Sequence, residues 1–161
     1  MDIAEQIRKH LPRNPTETVP LIDDYCQCYQ RLFSDVRNYE YFKYLHLGLI
    51  SDIKRKSLPE ISKVVNVSSQ SLHHFLTSSN WSRLDLEKTR LKWILDVIGS
   101  NSIIVIIDET GDRKKGNKTD YVSRQYLGSI GKVDRGIVSV NAYGVYQKIT
   151  FPLVTRIFKP K

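Results

Sequence analysis

The chain has 161 residues, 40% hydrophobic and 26% charged, which suits one ordinary domain or two small ones and excludes wholesale disorder. Two cysteines exclude a disulfide framework, and no apolar run approaches the roughly 20 residues that cross a bilayer as a helix. The net charge of +8 is uneven. Residues 1–42 hold 5 basic and 7 acidic side chains, residues 43–107 hold 9 and 5, and residues 108–161 hold 11 and 5. A basic middle and C-terminal part point to a polyanionic partner, most simply nucleic acid. The start, Met1 to Arg8, is mixed in charge and lacks the apolar stretch of a signal peptide. A soluble, cytoplasmic protein with no membrane partner is expected.

Through about residue 100 the pattern is helical. Pro20 suits a first helical turn, and Leu21, Ile22, Tyr25, Tyr29, Leu32 and Phe33 follow at three- and four-residue spacing. Tyr39, Phe42, Tyr44, Leu45, Leu47 and Leu49 are apolar on more than one face, as in a central helix. The basic run Lys54-Arg55-Lys56 precedes Ser57-Leu58-Pro59-Glu60, which reads as a capping box. Ile61, Val64 and Val65 form one face of that helix. Asn66-Val67-Ser68 breaks it, and Ser68 or Ser69 caps a second with Leu72, Phe75 and Leu76. Two short helices on such a turn have helix-turn-helix dimensions, and the second offers Gln70, Ser71, His73, His74 and Ser78 to a major groove. A further helix starts near Ser82 and stops at Gly99. Cys26-x-Cys28 has no common zinc spacing.

At Asn101 the grammar changes. Ile103-Ile104-Val105-Ile106-Ile107 is a continuous β-branched run, expected as a central strand buried on both faces and ending at Asp108. A polar, basic loop with four glycines is expected from Asp108 to Arg135. Strands at Ile137–Tyr146 and Ile149–Phe158 follow, with Pro152 marking an edge or a bulge. A carboxylate at the end of a buried strand is a common metal-ligand position, so Asp108 is a candidate metal ligand; the other reading is a cap for the following turn. Lys114, Lys115, Lys118, Arg124, Lys132 and Arg135 are candidate phosphate contacts beside it.

Asp108-Glu109-Thr110-Gly111-Asp112-Arg113-Lys114-Lys115-Gly116 is followed by Arg124-Gln125-Tyr126-Leu127-Gly128-Ser129-Ile130-Gly131-Lys132. This pairing resembles the DDE transposases of bacterial insertion sequences. The likeness is to the branch with D-E-T-G-x-x-K-K-G followed by R-Q-Y-x-G-x-x-G-K. Weaker likenesses run upstream through Tyr44-Leu45, Gly48-Leu49-Ile50, Arg55-Lys56-Ser57 and Phe75-Leu76. Asp112 departs from the family, which usually carries an apolar residue there. The resemblance implies an α/β chain with a ribonuclease-H-like sheet after a helical DNA-binding region. It also implies DNA strand cleavage and transfer, through three carboxylates that hold two divalent metals, Mg2+ above all. Asp108 matches the first carboxylate. No Asp or Glu occurs from Arg135 to Lys161 to match the others.

The reading is therefore a helical region at 1–100 with a helix-turn-helix-like pair, then the first strands of an incomplete catalytic domain at 101–161. Such a truncated transposase is expected to be inactive alone. Its partners would be double-stranded DNA at transposon ends, a downstream-encoded C-terminal half, and further copies of itself. The alternatives are a non-catalytic DNA-binding regulator derived from a transposase, and a small nuclease using Asp108, Glu109 and Asp112.

Overall fold

Pro20 opens the first helix of the structure, a computed structural model that describes residues 13–116 and 119–160. The chain divides into two compact units, Met1–Thr89 and Arg90–Lys161. The first is helical: α1 at Pro20–Gln27, a 3-10 turn at Gln30–Leu32, α2 at Val36–Ile50, α3 at Leu58–Val65 and α4 at Ser69–Ser78. The helix α5, Arg83–Ile98, contains the division. Asp35 caps α2 by accepting from the Arg37 N–H, and Ser82 accepts from the Asp85 N–H at the start of α5. Gly99 ends α5 at a positive φ of 63°, where glycine carries no side-chain penalty.

The first unit is held by rings. Ile22, Cys26, Tyr29, Phe33, Tyr39, Phe42 and Phe75 form its core, and Trp81 stacks on Phe75 and donates its indole N–H to the Phe75 carbonyl at 2.7 Å. Two charged side chains of α2 are also buried. Glu40 accepts both guanidinium nitrogens of Arg13 at 2.7 Å and the Thr16 N–H, and Lys43 donates to Asp23 at 2.5 Å and to the Thr16 carbonyl. Burial pushes the Glu40 carboxyl up, but the Arg13 and Thr16 bonds prevail and hold it down at about 2. Hydropathy alone did not single out either residue. Burial pushes the Cys26 thiol up to about 12, in keeping with a packed core thiol.

The helical pair has its three-residue turn. Asn66 ends α3 in the left-handed region, and Ser68 caps α4 by accepting from the Ser71 N–H at 3.1 Å. Leu72 and Phe75 are buried, whereas Val64 and Leu76 are exposed. The capping box at Ser57 does not form. Ser57 makes no side-chain cap bond, and Glu60 instead takes the Lys63 ammonium at 2.7 Å. The Ser57 N–H that Glu60 would reach is donated to the Arg55 carbonyl at 2.9 Å, and the Glu60 carboxylate pairs with the exposed Lys63. Gly48 lets α2 and α3 touch: a Cβ there would lie 2.3 Å from Ile61 Cγ2.

The second unit is an antiparallel sheet of β1 (Ile104–Arg113), β2 (Ser123–Leu127), β3 (Lys132–Tyr146) and β4 (Ile149–Ile157). The central strand is β3. Residues 136–145 of β3 pair with β1 on one edge, while residues 132–136 pair with β2 and 139–146 with β4 on the other. Pro152 sits at the irregularity of the β3–β4 ladder on an outer strand, as its missing N–H requires. Leu127 is fully buried against Gly111 and Gly136, where a Cβ would meet its side chain at 2.9 and 2.8 Å.

Three expectations for this half are corrected. The β-branched run is an outer strand, since β1 pairs with β3 alone among the described strands. It is not buried: Ile104, Val105, Ile106 and Ile107 are 48–70% exposed. A continuous apolar run does not separate a strand paired on both edges from one paired on one, and here the long strand that alternates, β3, takes the centre. Nor does β1 end at Asp108; it continues to Arg113, so Asp108 lies mid-strand. The expected loop from Asp108 to Arg135 contains β2 and parts of β1 and β3.

Candidate nucleic-acid and metal-binding face

The ladder between β1 and β3 fixes which side chains share a face. Opposed residues project to the same side, and successive residues alternate. Asp108 stands opposite Asn141, Thr110 opposite Ser139 and Asp112 opposite Ile137, so these six share one face. Glu109, opposite Val140, lies on the other. The carboxylates of Asp108, Glu109 and Asp112 therefore do not converge. Asp112 is four residues along the strand, about 13 Å at 3.3 Å per residue, and its carboxylate is paired with Lys114. Among the described residues no three His, Cys, Asp or Glu side chains come together as a metal cluster.

Asp108 is exposed, and its Oδ1 accepts the Glu109 N–H at 2.8 Å. Across the rung Asn141 is buried, only 7% exposed. Its amide nitrogen donates to Thr110 Oγ1 at 3.3 Å, Ser139 Oγ at 3.2 Å and the Ser139 carbonyl at 3.4 Å. The Asp108 carboxylate is a hard oxygen donor of the kind that Mg2+ takes beside its waters, and it fits one ligand position of such an ion.

The same face carries cations. The Lys114 N–H bonds the Arg135 carbonyl at 3.0 Å, and Arg135 stands opposite Arg124 on β2. Lys114, just beyond β1, Arg135 on β3 and Arg124 on β2 thus form a row across the sheet, with neighbours about 4.8 Å apart. Like charges directly opposite each other in a sheet repel. Lys114 is relieved by Asp112, whereas Arg124 and Arg135 make no ion pair among the described residues. Asp134, on the other face, is held below the usual carboxylate range first by the Arg135 N–H and then by the Arg113, Lys132 and Arg124 charges. Lys132 is on that other face with Asp134. Lys115 is exposed just beyond β1, and Lys118 lies outside the described residues. The register that joins Lys114, Arg135 and Arg124 has no signal in sequence order, because 11 residues separate Arg124 from Arg135 and 21 separate Lys114 from Arg135.

In the helical unit, Gln70, His73, His74, Thr77 and Ser78 of α4 are exposed, as are Lys54, Arg55, Lys56 and Lys63. No helix among the described residues is long and apolar enough to cross a membrane.

Mixed helices and an antiparallel sheet are consistent with an α/β fold of the DDE and ribonuclease-H-like superfamily. The family model described as "DDE superfamily endonuclease" matches residues 30–161, and the chain belongs to that family. It is 56% identical over 151 residues to the "Probable transposase for insertion sequence element IS701" of Microchaete diplosiphon, which bears out the resemblance to the DDE transposases of insertion sequences. That match covers 93% of this chain and 40% of the relative, so the chain spans well under half of the relative's length. No solved structure matches.

Proposed function

We propose that this chain is the DNA-binding and first metal-ligand part of an insertion-sequence transposase, acting in the cytoplasm in DNA strand cleavage and transfer. The observation that carries the reading is the shared face. Asp108, inside the D-E-T-G-x-x-K-K-G stretch, projects to the side on which Lys114, Arg135 and Arg124 cross the sheet. From the Asp108 rung to the arginine rung is six residues of β3, about 20 Å, or roughly six base steps of duplex. In this reading the guanidinium row holds the phosphate backbone and fixes the strand to be cut over Asp108. Lys115 and Lys118, next in the sequence, extend the phosphate contacts, and Lys132 adds positive field from the other face.

Asp108 would hold a divalent cation, which would supply activation of a water or 3′-hydroxyl and neutralisation of the leaving oxygen. The Glu109 N–H, bonded to one oxygen of Asp108, keeps that carboxylate oriented. The remaining carboxylates of a two-metal site have to converge on Asp108 from other elements. Asp108 has no such companions among the described residues, so the proposed activity belongs to this chain together with more of the relative's length, whether joined or as a separate half.

The helical region, 1–100, is proposed as the DNA-end-binding part. In it α3 and α4 act as a helix-turn-helix, with Gln70, His73 and His74 toward base edges and Lys54 to Lys56 toward phosphates. The incomplete ribonuclease-H-like domain is then 101–161. The test is twofold. The 161-residue chain should bind duplex DNA with a steep salt dependence. Mg2+- or Mn2+-dependent nicking should arise only when the downstream-encoded product is co-expressed, and Asp108→Asn should abolish it. Nicking unaffected by Asp108→Asn would overturn the assignment of Asp108. Binding without nicking in the co-expressed system would favour the non-catalytic regulator.

A further inference from the structure

We propose that Asn141 supplies the second oxygen donor of the cation site that Asp108 begins, so that one rung of the β1–β3 ladder presents two oxygens to the same divalent ion. This rests on the reading of Asp108 given above. Two observations point to it. The first is register: Asp108 and Asn141 are directly opposed, with Cα atoms about 4.5–5.5 Å apart, and project to the same face. The second is the orientation of the amide. Its nitrogen is committed to Thr110 Oγ1, Ser139 Oγ and the Ser139 carbonyl, all acceptors here. A donor end held that way turns the carbonyl Oδ1 away from those three groups.

That Oδ1 accepts no hydrogen bond among the described residues, although Asn141 is only 7% exposed. It is not sealed in either, because no buried side-chain oxygen of the described residues is left without a partner. It therefore keeps some access to solvent. A mostly buried amide needs a reason to keep its acceptor unbonded, since such groups are otherwise satisfied. Beside it, Asp108 has one oxygen on the Glu109 N–H and the other without a hydrogen bond among the described residues. Two acceptors thus share a rung with no protein donor between them. A hydrated Mg2+ or Mn2+ answers both, since it takes carboxylate and amide carbonyl oxygens. The Thr110 and Ser139 hydroxyls would orient the amide, as outer groups orient a metal's ligands.

The test is Mn2+ binding to the 161-residue chain, read from the electron paramagnetic resonance signal of the free ion, without DNA. Mn2+ is the probe, and Mg2+ should compete for it. Four variants separate the roles. Asp108→Asn should abolish binding. Asn141→Leu, which keeps the bulk and removes the oxygen, should weaken it about tenfold or more. Asn141→Asp should tighten it. The exchange variant Asp108→Asn with Asn141→Asp moves the carboxylate across the rung and should restore binding toward the unmodified chain. A packing role for Asn141 would not produce that rescue. Unchanged affinity in Asn141→Leu with an unchanged unfolding midpoint would overturn the proposal. An exchange variant that binds no better than Asp108→Asn alone would do the same, even if Asn141→Leu fails to fold. If Asp108→Asn binds like the unmodified chain, the failure lies with the Asp108 reading itself.

Discussion

Removing the charge from the arginine rung should weaken DNA binding and stabilise the sheet together. Arg124 and Arg135 are opposed across β2 and β3 and make no ion pair among the described residues. Their repulsion costs the folded chain on the order of 0.2–1 kcal/mol. Arg124→Gln with Arg135→Gln keeps the bulk of both side chains and removes that cost, so urea unfolding should move upward by a few tenths to about 1 kcal/mol. On DNA the effect has the opposite sign. Each phosphate contact contributes a slope of about 0.9 to the fall of log affinity with log salt, so two lost contacts flatten it by about 1.8. Between about 50 and 200 mM salt the variant should lose roughly tenfold less affinity than the unmodified chain. The assay is fluorescence anisotropy of a labelled duplex at stepped salt, with unfolding measured on the same preparations. Lys132→Gln is the control, since Lys132 stands on the other face and should change the slope less. An unchanged slope, or a loss of stability in the double variant, would refute the reasoning.

Other outcomes follow from single contacts. Gly48→Ala should cost about 1–3 kcal/mol by overpacking, because its Cβ would lie 2.3 Å from Ile61 Cγ2; a chemical denaturation midpoint equal to the unmodified chain's would show that α2 and α3 yield freely. Ser68→Ala should cost about 1 kcal/mol through the lost bond to the Ser71 N–H, and Ser57→Ala almost nothing; equal effects would place the working cap wrongly. Glu40 is held at about 2, below the ordinary carboxylate value of about 4.3, so it binds its proton less readily folded than unfolded. Its contribution is complete above about pH 5 and is lost as the pH falls toward about 2. The amount is about 2–3 kcal/mol, allowing for an Arg13 partner that is half exposed. Glu40→Gln should flatten the unfolding free energy over that acid range, and an unchanged slope would show that the Arg13 strap does not persist in solution.

The helices were legible because their punctuation is local. Pro20, Ser68, Ser82 and Gly99 each act within one turn of themselves, and each stands where its chemistry places it. The capping box at Ser57 does not form: its own N–H is donated to the Arg55 carbonyl, and the Glu60 side chain pairs with Lys63. The sheet was less legible because pairing is not local. The run Ile103–Ile107 announces a strand but says nothing of how many neighbours it has. Arg124 and Arg135 look like two basic residues in one loop until the register sets them opposite each other. The buried Glu40 and Lys43 escaped notice for a related reason: their partners Arg13, Thr16 and Asp23 are 20–27 residues away.

The D-E-T-G stretch shows how one motif can carry two physical demands. Its outward residues on one face, Asp108 and Thr110, stand on the rungs of Asn141 and Ser139, where oxygen donors gather. Its Gly111 faces the other way and leaves room for Leu127, which closes β2 against both β1 and Gly136 of β3. That closure sets the place of Arg124, three residues before Leu127, and so the distance between the phosphate row and the Asp108 rung. A side chain at Gly111 would push against Leu127 and move the row, although Gly111 touches neither phosphate nor cation in the proposed reading. Glycine in this stretch is then a packing requirement of the sheet, and the chemistry at Asp108 depends on it through the position of β2.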